Sequence, residues 1–365
     1  MARIWTPPTS VLIESMQWFP GKTAWLLHAH LMNDCRRAPA AAHCPIYIVE
    51  ALPVTTTYLA ERMNPDFGFY LKNNRLLIEQ QSEWQRIEVF ENTQFGRVMR
   101  IDDCFMTSER DEFYYHEPMI HLPAIAHPGV RSALVVGGGD GGSVEELLKL
   151  PGMERVVLAE LDAQVIEVAR AWLGEIHHGA FDDPRVEIRL GDARLFIGET
   201  AERFDQIVLD LTDPFGPATD LYTVEFYQAC KRALNPGGVV SLHLGSPIHL
   251  PESMCRIAAS VRAVFPIFRP YLQYVPLYGT LWCMAMASDA TDPATLSAEA
   301  VDARIAERHL RDLQLYNGAT HHALLAQPNF VRQLFAQPAQ PLRRGDVLEE
   351  VRDPSEFPAV RITAE

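Results

Sequence analysis

The 365-residue sequence is short of several things, and each shortage excludes a class of function. It has 32 Lys and Arg against 47 Asp and Glu, a formal charge of −15, so it lacks the basic face that nucleic-acid phosphates require. Its six cysteines, Cys35, Cys44, Cys104, Cys230, Cys255 and Cys283, contain no CxxC pair. That removes zinc-ribbon and dithiol chemistry and suits a reducing compartment, so the expected location is the cytoplasm. No apolar run reaches the ~18 residues of a membrane helix, so no membrane partner is expected. The N-terminal stretch TAWLLHAHLM is broken by two histidines and has no convincing cleavage site, which argues against a signal peptide. Metal and nucleophile motifs are missing too. His116 to His121 spells HExxxH, one residue longer than the zinc spacing, and there is no GxSxG elbow or cysteine–histidine pairing. No metal is expected.

What is present reads as a globular protein, 48% hydrophobic and 22% charged, long enough for about two domains. Residues 1–62 show no clear periodicity and are expected to be an extension, either a variable segment or a mis-called start before Met63. From Phe67 the texture changes. FYLKNNRLLIEQQ, WQRIEVFEN and GRVMRIDDCFMTSE alternate apolar and polar residues between polar turns, which predicts an antiparallel β domain over 63–123. EFYYHEPMIHLPAIA then reads as a helix.

A regular alternation follows over 124–335. ALVVGG, RVVLAELD, VEIRLGDA, FDQIVLDL and GGVVSLHLG are short apolar runs separated by helical patterns. This predicts an α/β fold, a Rossmann-like doubly wound parallel sheet with helices on both faces. Ser143 with Glu146 has capping-box spelling, and Asp162 reads as a helix N-cap. VDARIAERHL and HHALLAQPNFVRQLF predict later helices. Residues 336–365, rich in charge and proline, are expected to be a disordered tail.

The glycine run GGGDGG after the first parallel strand poses a chemical question. Such turns usually cradle phosphate, yet Asp140 sits inside this one and would repel it. In doubly wound sheets ligands bind beyond the carboxyl ends of the strands. Here the four successive ends carry Asp140, Glu160, Asp192 and Asp210, with Asp213 close behind in LDLTDPFGP. Each alone could be a cap or turn residue. Five gathered carboxylates need cations or hydrogen-bond donors. Gly137, Gly139 and Gly142 also fit GxGxxG with Glu160 20 residues past Asp140, so a dinucleotide competes as ligand. An adenosyl sulfonium fits better: Glu160 on the ribose hydroxyls, Asp192 on the adenine amino group, and Asp140 facing an ammonium. An aspartate at that place favours decarboxylated S-adenosylmethionine, whose arm ends in ammonium alone.

GGGDGG, TSERDEFYYHE, LAELD, GDAR and LDLTDPFGPATDLYTVEFY, in this order and spacing, resemble the polyamine aminopropyltransferases, the spermidine synthase family. The likeness covers roughly residues 67–335. It implies transfer of an aminopropyl group from decarboxylated S-adenosylmethionine to putrescine, giving spermidine and methylthioadenosine. It implies no cofactor beyond that co-substrate and a homodimer or homotetramer. Carried over motif by motif, Asp210 resembles the catalytic acid. Gln85, Asp140, Glu160, Asp192, Ala193 and Pro217 resemble the donor site; Tyr115, His116, Asp140, Asp210, Asp213 and Tyr278 resemble the amine site. Leu211 stands where a small hydroxyl residue is common, and His243 where glutamine is frequent. Both lie on the acceptor side, leaving cadaverine, spermidine and agmatine as alternative acceptors. A methyltransferase and a non-catalytic dimer partner are the alternatives of other classes.

Overall fold

The computed structural model describes residues 57–348 and 350, apart from Pro65 and the side chains of Gly216 and Pro217. It also describes the backbone of strand residues 11–18, 24–31, 47–50, 56 and 361–364. The chain divides into two compact units, residues 1–57 with 363–365, and residues 58–362. In the first, strands β1 (Val11–Trp18), β2 (Ala24–Leu31) and β3 (Tyr47–Glu50) pair antiparallel in that order.

The second unit opens with two small sheets. Strands β4 (Thr56–Asn64) and β5 (Phe67–Asn73) are neighbours in one. Strands β6 (Arg75–Gln81), β7 (Arg86–Asn92), β8 (Gly96–Ile101) and β9 (Cys104–Ser108) form an antiparallel meander. The expected boundary at Met63 falls inside β4 and needs correcting. Leu59, Glu61 and Met63 alternate toward one side, so the strand runs on across that position.

Helix α1 (Phe113–Ala126) links these sheets to the larger one. Eleven of its residues, Tyr115 to Ile125, are buried, so it has no solvent face and carries no amphipathic stripe. The large sheet is then laid down by alternation. It runs through β10 (Ser132–Gly137), α2 (Gly142–Leu148), β11 (Arg155–Glu160), α3 (Ala163–Trp172), a single turn α4 (Gly174–His177) and β12 (Val186–Leu190). Next come α5 (Ala193–Glu199), β13 (Phe204–Asp210), α6 (Val224–Arg232), β14 (Leu234–Gly245), α7 (Pro251–Arg262), β15 (Ile267–Val275) and β16 (Thr280–Ser288). The order across the sheet is β12-β11-β10-β13-β14-β16-β15. The first five strands are parallel and β16 is antiparallel to both its neighbours, a Rossmann-like sheet as expected.

Alternate residues of each parallel strand feed separate cores. Ala133, Val135, Val156 and Leu158 pack on the side of α1; Leu134, Val136, Val157 and Leu209 pack on the other, with α6 and α7. Both faces being covered, ligands reach the sheet only at its ends. The strand order reverses between β10 and β13, where register pairs Gly137 with Asp210. A Cβ on Gly137, whose φ is +74°, would overlap the Asp210 carbonyl. The glycine lets these strand ends close together.

Two later expectations of helix hold, and that of a disordered tail is corrected. HHALLAQPNFVRQLF carries α9 (Gly318–Leu325) and α10 (Asn329–Ala336), which are separate because Pro328 cannot continue the first. VDARIAERHL lies mostly in α8 (Ala298–Glu307), which starts earlier at the Ser297 cap. Residues 337–348 are no disordered tail: Leu342 and Leu348 are buried in the second core, and the Leu342 N–H donates to Ser260. Two apolar anchors outweighed the charge and proline around them.

Candidate active site

A cavity of about 410 Å³ opens at the carboxyl ends of β10 to β13, roofed by residues of β8, β9 and the β15–β16 turn. Its lining includes Gln85, Tyr115, His116, Asp140, Glu160, Asp192, Ala193, Asp210 and Tyr278. Of the expected residues, Asp213 lies in an adjoining cavity of about 40 Å³. The side chain of Pro217 lies outside the described residues, while its neighbour Ala218 lines the main cavity.

Three carboxylates and one imidazole form the centre. His116 Nε2 lies 3.5 Å from Asp140 Oδ2 and 3.9 Å from Asp210 Oδ2, and its Nδ1 meets Glu112 Oε2 at 2.8 Å. Helix α1 carries His116 inward, and a Cβ on Gly142 would overlap its ring. Glycine at 142 therefore serves the close approach of a side chain, which answers part of the question that the glycine run raised. Burial disfavours the His116 cation, yet Asp140, Glu112 and Asp210 together raise its pKa to about 10. Asp210 is raised as well, by burial first and then by the charge of Asp140. His116 and hydrogen bonds from Ser143 and Tyr115 act the other way. The Ser143 hydroxyl donates to Asp210 Oδ2 at 2.7 Å. The capping-box reading of Ser143 is thus corrected: the helix N-cap is Gly141, and Glu146 bonds His121 and Lys149 instead. Tertiary partners displaced the local motif.

Among the described residues, His116, Asp140 and Asp210 are the one group able to hold a metal, with donor atoms within 4.8 Å of one another. An imidazolium has no free lone pair, so a metal there must first displace a proton.

Toward β11 and β12 the cavity is lined by Glu160, Leu161, Asp192 and Ala193. Glu160 accepts from the Asp162 N–H at 2.9 Å, and burial, opposed by backbone N–H groups of Asp162 and Leu161, raises its pKa to about 7. Gln85 Nε2 donates to Asp162 Oδ2 at 3.0 Å, tying the small meander to the large sheet. Asp162 also caps α3, as expected. Asp192 caps α5 and is gripped by Arg194 at 2.7 Å, which holds its carboxyl below the usual range.

Toward β14 and β16 the rings of Tyr115 and Tyr278, 6.2 Å apart edge to face, line both the main cavity and the small one beside it. Tyr278 is fixed by its hydroxyl donating to the Met106 carbonyl at 2.9 Å. Beside it, the Leu277 N–H donates to Asp111 Oδ2 at 2.7 Å. Two carboxyls face this end. Burial alone lifts Asp213 to about 6. Glu61 is lifted to about 8, by burial, with its Phe105 N–H bond opposing and Asp213 adding. Both are poised to receive a cation.

The sequence reading missed Glu61, Glu112 and Trp282. Glu61 had a signal, a carboxylate inside the apolar row Leu59–Met63, but it lay in residues assigned to the extension. Trp282 and Glu112 had none, since neither stands at a strand end.

The chain was compared with known proteins. A model of the spermine/spermidine synthase domain matches residues 112–297, and one of the spermidine synthase tetramerisation domain matches residues 57–109. A polyamine aminopropyltransferase of Nitrosomonas europaea is 60% identical over 300 residues, 82% of this chain and 92% of that one. One of Thermoanaerobacter pseudethanolicus is 37% identical over 279 residues, 76% of this chain and 98% of that one. Among solved structures, a spermidine synthase in complex with the transition state analogue AdoDATO matches with TM-score 0.72 and 37% identity. The match covers 76% of this chain and 94% of that one. The spermidine synthase from Thermotoga maritima matches at TM-score 0.70 and 35% identity, over 77% and 94%.

Proposed function

Since the chain belongs to the spermine/spermidine synthase family and is an aminopropyl-transferring enzyme of polyamine biosynthesis, we propose that its donor is decarboxylated S-adenosylmethionine and its acceptor putrescine. The observation that carries this reading is a cleft with carboxyls along its whole length. Asp140 and Asp210 stand at its centre, and Glu61 and Asp213 line the small cavity beside it. A dication that reacts at one amine and is held by the other fits that spacing of charge. The donor's single ammonium fits Asp140, where a carboxylate on the same arm would be repelled.

The reaction is an in-line displacement. The acceptor nitrogen forms a bond to the methylene carbon next to sulfur, the carbon–sulfur bond breaks, and its electron pair leaves on a neutral thioether. One proton leaves the amine. An alkylammonium has a pKa near ~10.4, so freeing its lone pair at pH 7 costs about 4.6 kcal/mol. Asp210 takes this proton. Its raised affinity for protons, from burial and from Asp140, narrows the gap to the ammonium. The dry walls of Tyr115 and Tyr278 lower the amine's own pKa, while the carboxylates raise it. Neither metal nor cofactor enters this scheme.

The described cysteines Cys104, Cys230, Cys255 and Cys283 are free, which suits the cytoplasm. No described helix is long and apolar enough to cross a membrane. Exposed Phe67, Tyr70 and Leu76 fall within residues matched to the tetramerisation domain and support self-association as a dimer or tetramer.

The test is to incubate the protein with decarboxylated S-adenosylmethionine and a panel of putrescine, cadaverine, spermidine and agmatine, following methylthioadenosine. Putrescine is expected to give the highest kcat/KM. A better acceptor, or turnover with ordinary S-adenosylmethionine alone, would overturn the assignment.

A further inference from the structure

Two buried side chains, His243 and Trp282, line the small cavity beside the site, and a third, Tyr222, stands behind them. His243 of β14 stacks on Trp282 of β16, ring centroids 5.8 Å apart and planes 21° from parallel. Its Nε2 meets the Tyr222 hydroxyl at 2.8 Å, and that hydroxyl also donates to the Thr212 carbonyl at 2.7 Å. Relative exposures of 3%, 6% and 1% for His243, Trp282 and Tyr222 leave the wall no slack toward solvent. The space in front of it, about 40 Å³, is room for roughly three waters when each takes ~10–15 Å³.

We propose that His243, backed by Trp282 and braced by Tyr222, is the length stop of the acceptor channel, admitting a terminal diamine and rejecting a triamine. The inference rests on the transfer reading above and names a residue that decides its substrate. With the reacting nitrogen at Asp210 and the far ammonium between Glu61 and Asp213, a diamine ends where the small cavity ends. A triamine extends four heavy atoms further. Those atoms have no volume to enter, because the buried rings of His243 and Trp282 stand where they would lie. The stop acts by shape and is rigid, because each ring is held by a second one or by a hydrogen bond.

Leu211, at a position expected to carry a small hydroxyl residue, lines both cavities and packs against the second core.

The experiment measures kcat/KM for spermidine and for putrescine in wild type, His243→Ala and Trp282→Phe, following methylthioadenosine. The ratio of the two values within one preparation cancels any unfolded fraction. Wild type is expected to favour putrescine strongly. His243→Ala should raise the spermidine-to-putrescine ratio at least about tenfold, the scale on which apolar pocket volume discriminates. Trp282→Phe should raise it less, and carries the test if His243→Ala does not fold. Ratios within twofold of wild type in the variants that turn over putrescine would overturn the stop. So would a wild type that already uses spermidine as well as putrescine. No methylthioadenosine from wild type with any amine would instead sink the transfer reading, and the stop with it.

Discussion

The two ends of the cleft are built in opposite ways. At the end proposed for the donor, Asp140, Glu160 and Asp192 follow three adjacent parallel strands, so the sheet's register lines them up. At the end proposed for the acceptor, Glu61, Cys104, Asp213, His243 and the pair Tyr278 and Trp282 come from five places between residues 61 and 282. The donor end inherits its geometry from the fold, whereas the acceptor end is assembled by tertiary packing.

Asp210 sits at the join, and its variant tests the division most severely. Asp210→Asn keeps the shape but cannot take a proton, so kcat should fall by about 10²–10⁴-fold. Donor affinity, measured by calorimetry in the absence of amine, should stay within about threefold. A near-normal rate would remove Asp210 as base. An equal loss of donor affinity would show that the two ends do not separate there.

Removing a charge from the small cavity should be felt on one side only. In Glu61→Gln and Asp213→Asn the far ammonium loses a charged partner. The KM for putrescine is then expected to rise about tenfold or more, with the KM for the donor unchanged. Asp213→Asn should cost more, because Glu61, at about 8, is largely protonated at pH 7 in the empty enzyme. A matched rise in both KM values would mean that this end shapes the donor site too.

The same contrast decides what was legible in the sequence. Short apolar runs ending in acid gave the parallel sheet, its strand–helix alternation and the strand-end carboxylates Asp140, Glu160, Asp192 and Asp210, because strand ends are a local signal. Asp213 was reached as a second acid just past a strand end, and Tyr278 only through motif resemblance. Glu61 was hidden by its place in a stretch without clear periodicity, although β4 aims it inward. Ser143 misled, since its capping-box partner Glu146 is drawn to His121 and Lys149 across helices α1 and α2. Local patterns fail wherever a buried polar group finds a better distant partner. The anchoring of residues 337–348 by Leu342 and Leu348 was likewise invisible, two apolar residues being too few for a periodic signal.

Asp140 is expected to set donor choice with a smaller effect. Its Oδ1 accepts the Gly142 N–H at 3.2 Å and its Oδ2 faces His116. Asp140→Gly should weaken decarboxylated donor binding several-fold and improve tolerance of ordinary S-adenosylmethionine, read in a competition binding assay. Unchanged selectivity would detach the charge argument from this residue and leave the donor end governed by the nucleoside alone.

The smallest effect is a pH dependence confined to the acceptor end. Glu61 and Asp213 have folded pKa values raised from 4.5 to about 8 and from 3.8 to about 6. A raised value means that the empty folded state holds protons more tightly than the unfolded chain. The stability from these groups is present below the unfolded values and is lost as pH rises through about 6 and then about 8. A bound ammonium favours the ionised carboxylates, so amine binding releases protons below about pH 8. Affinity for putrescine should therefore tighten several-fold between pH 6 and pH 8, while the amine itself, with a pKa near ~10.4, stays charged. The thermal shift produced by a fixed putrescine concentration should grow over the same interval. Glu61→Gln should flatten the upper half of that profile and leave the lower half, which belongs to Asp213. A profile unchanged by Glu61→Gln would place the titrating group elsewhere, with Glu160, at about 7 on the donor side, as the group to test next.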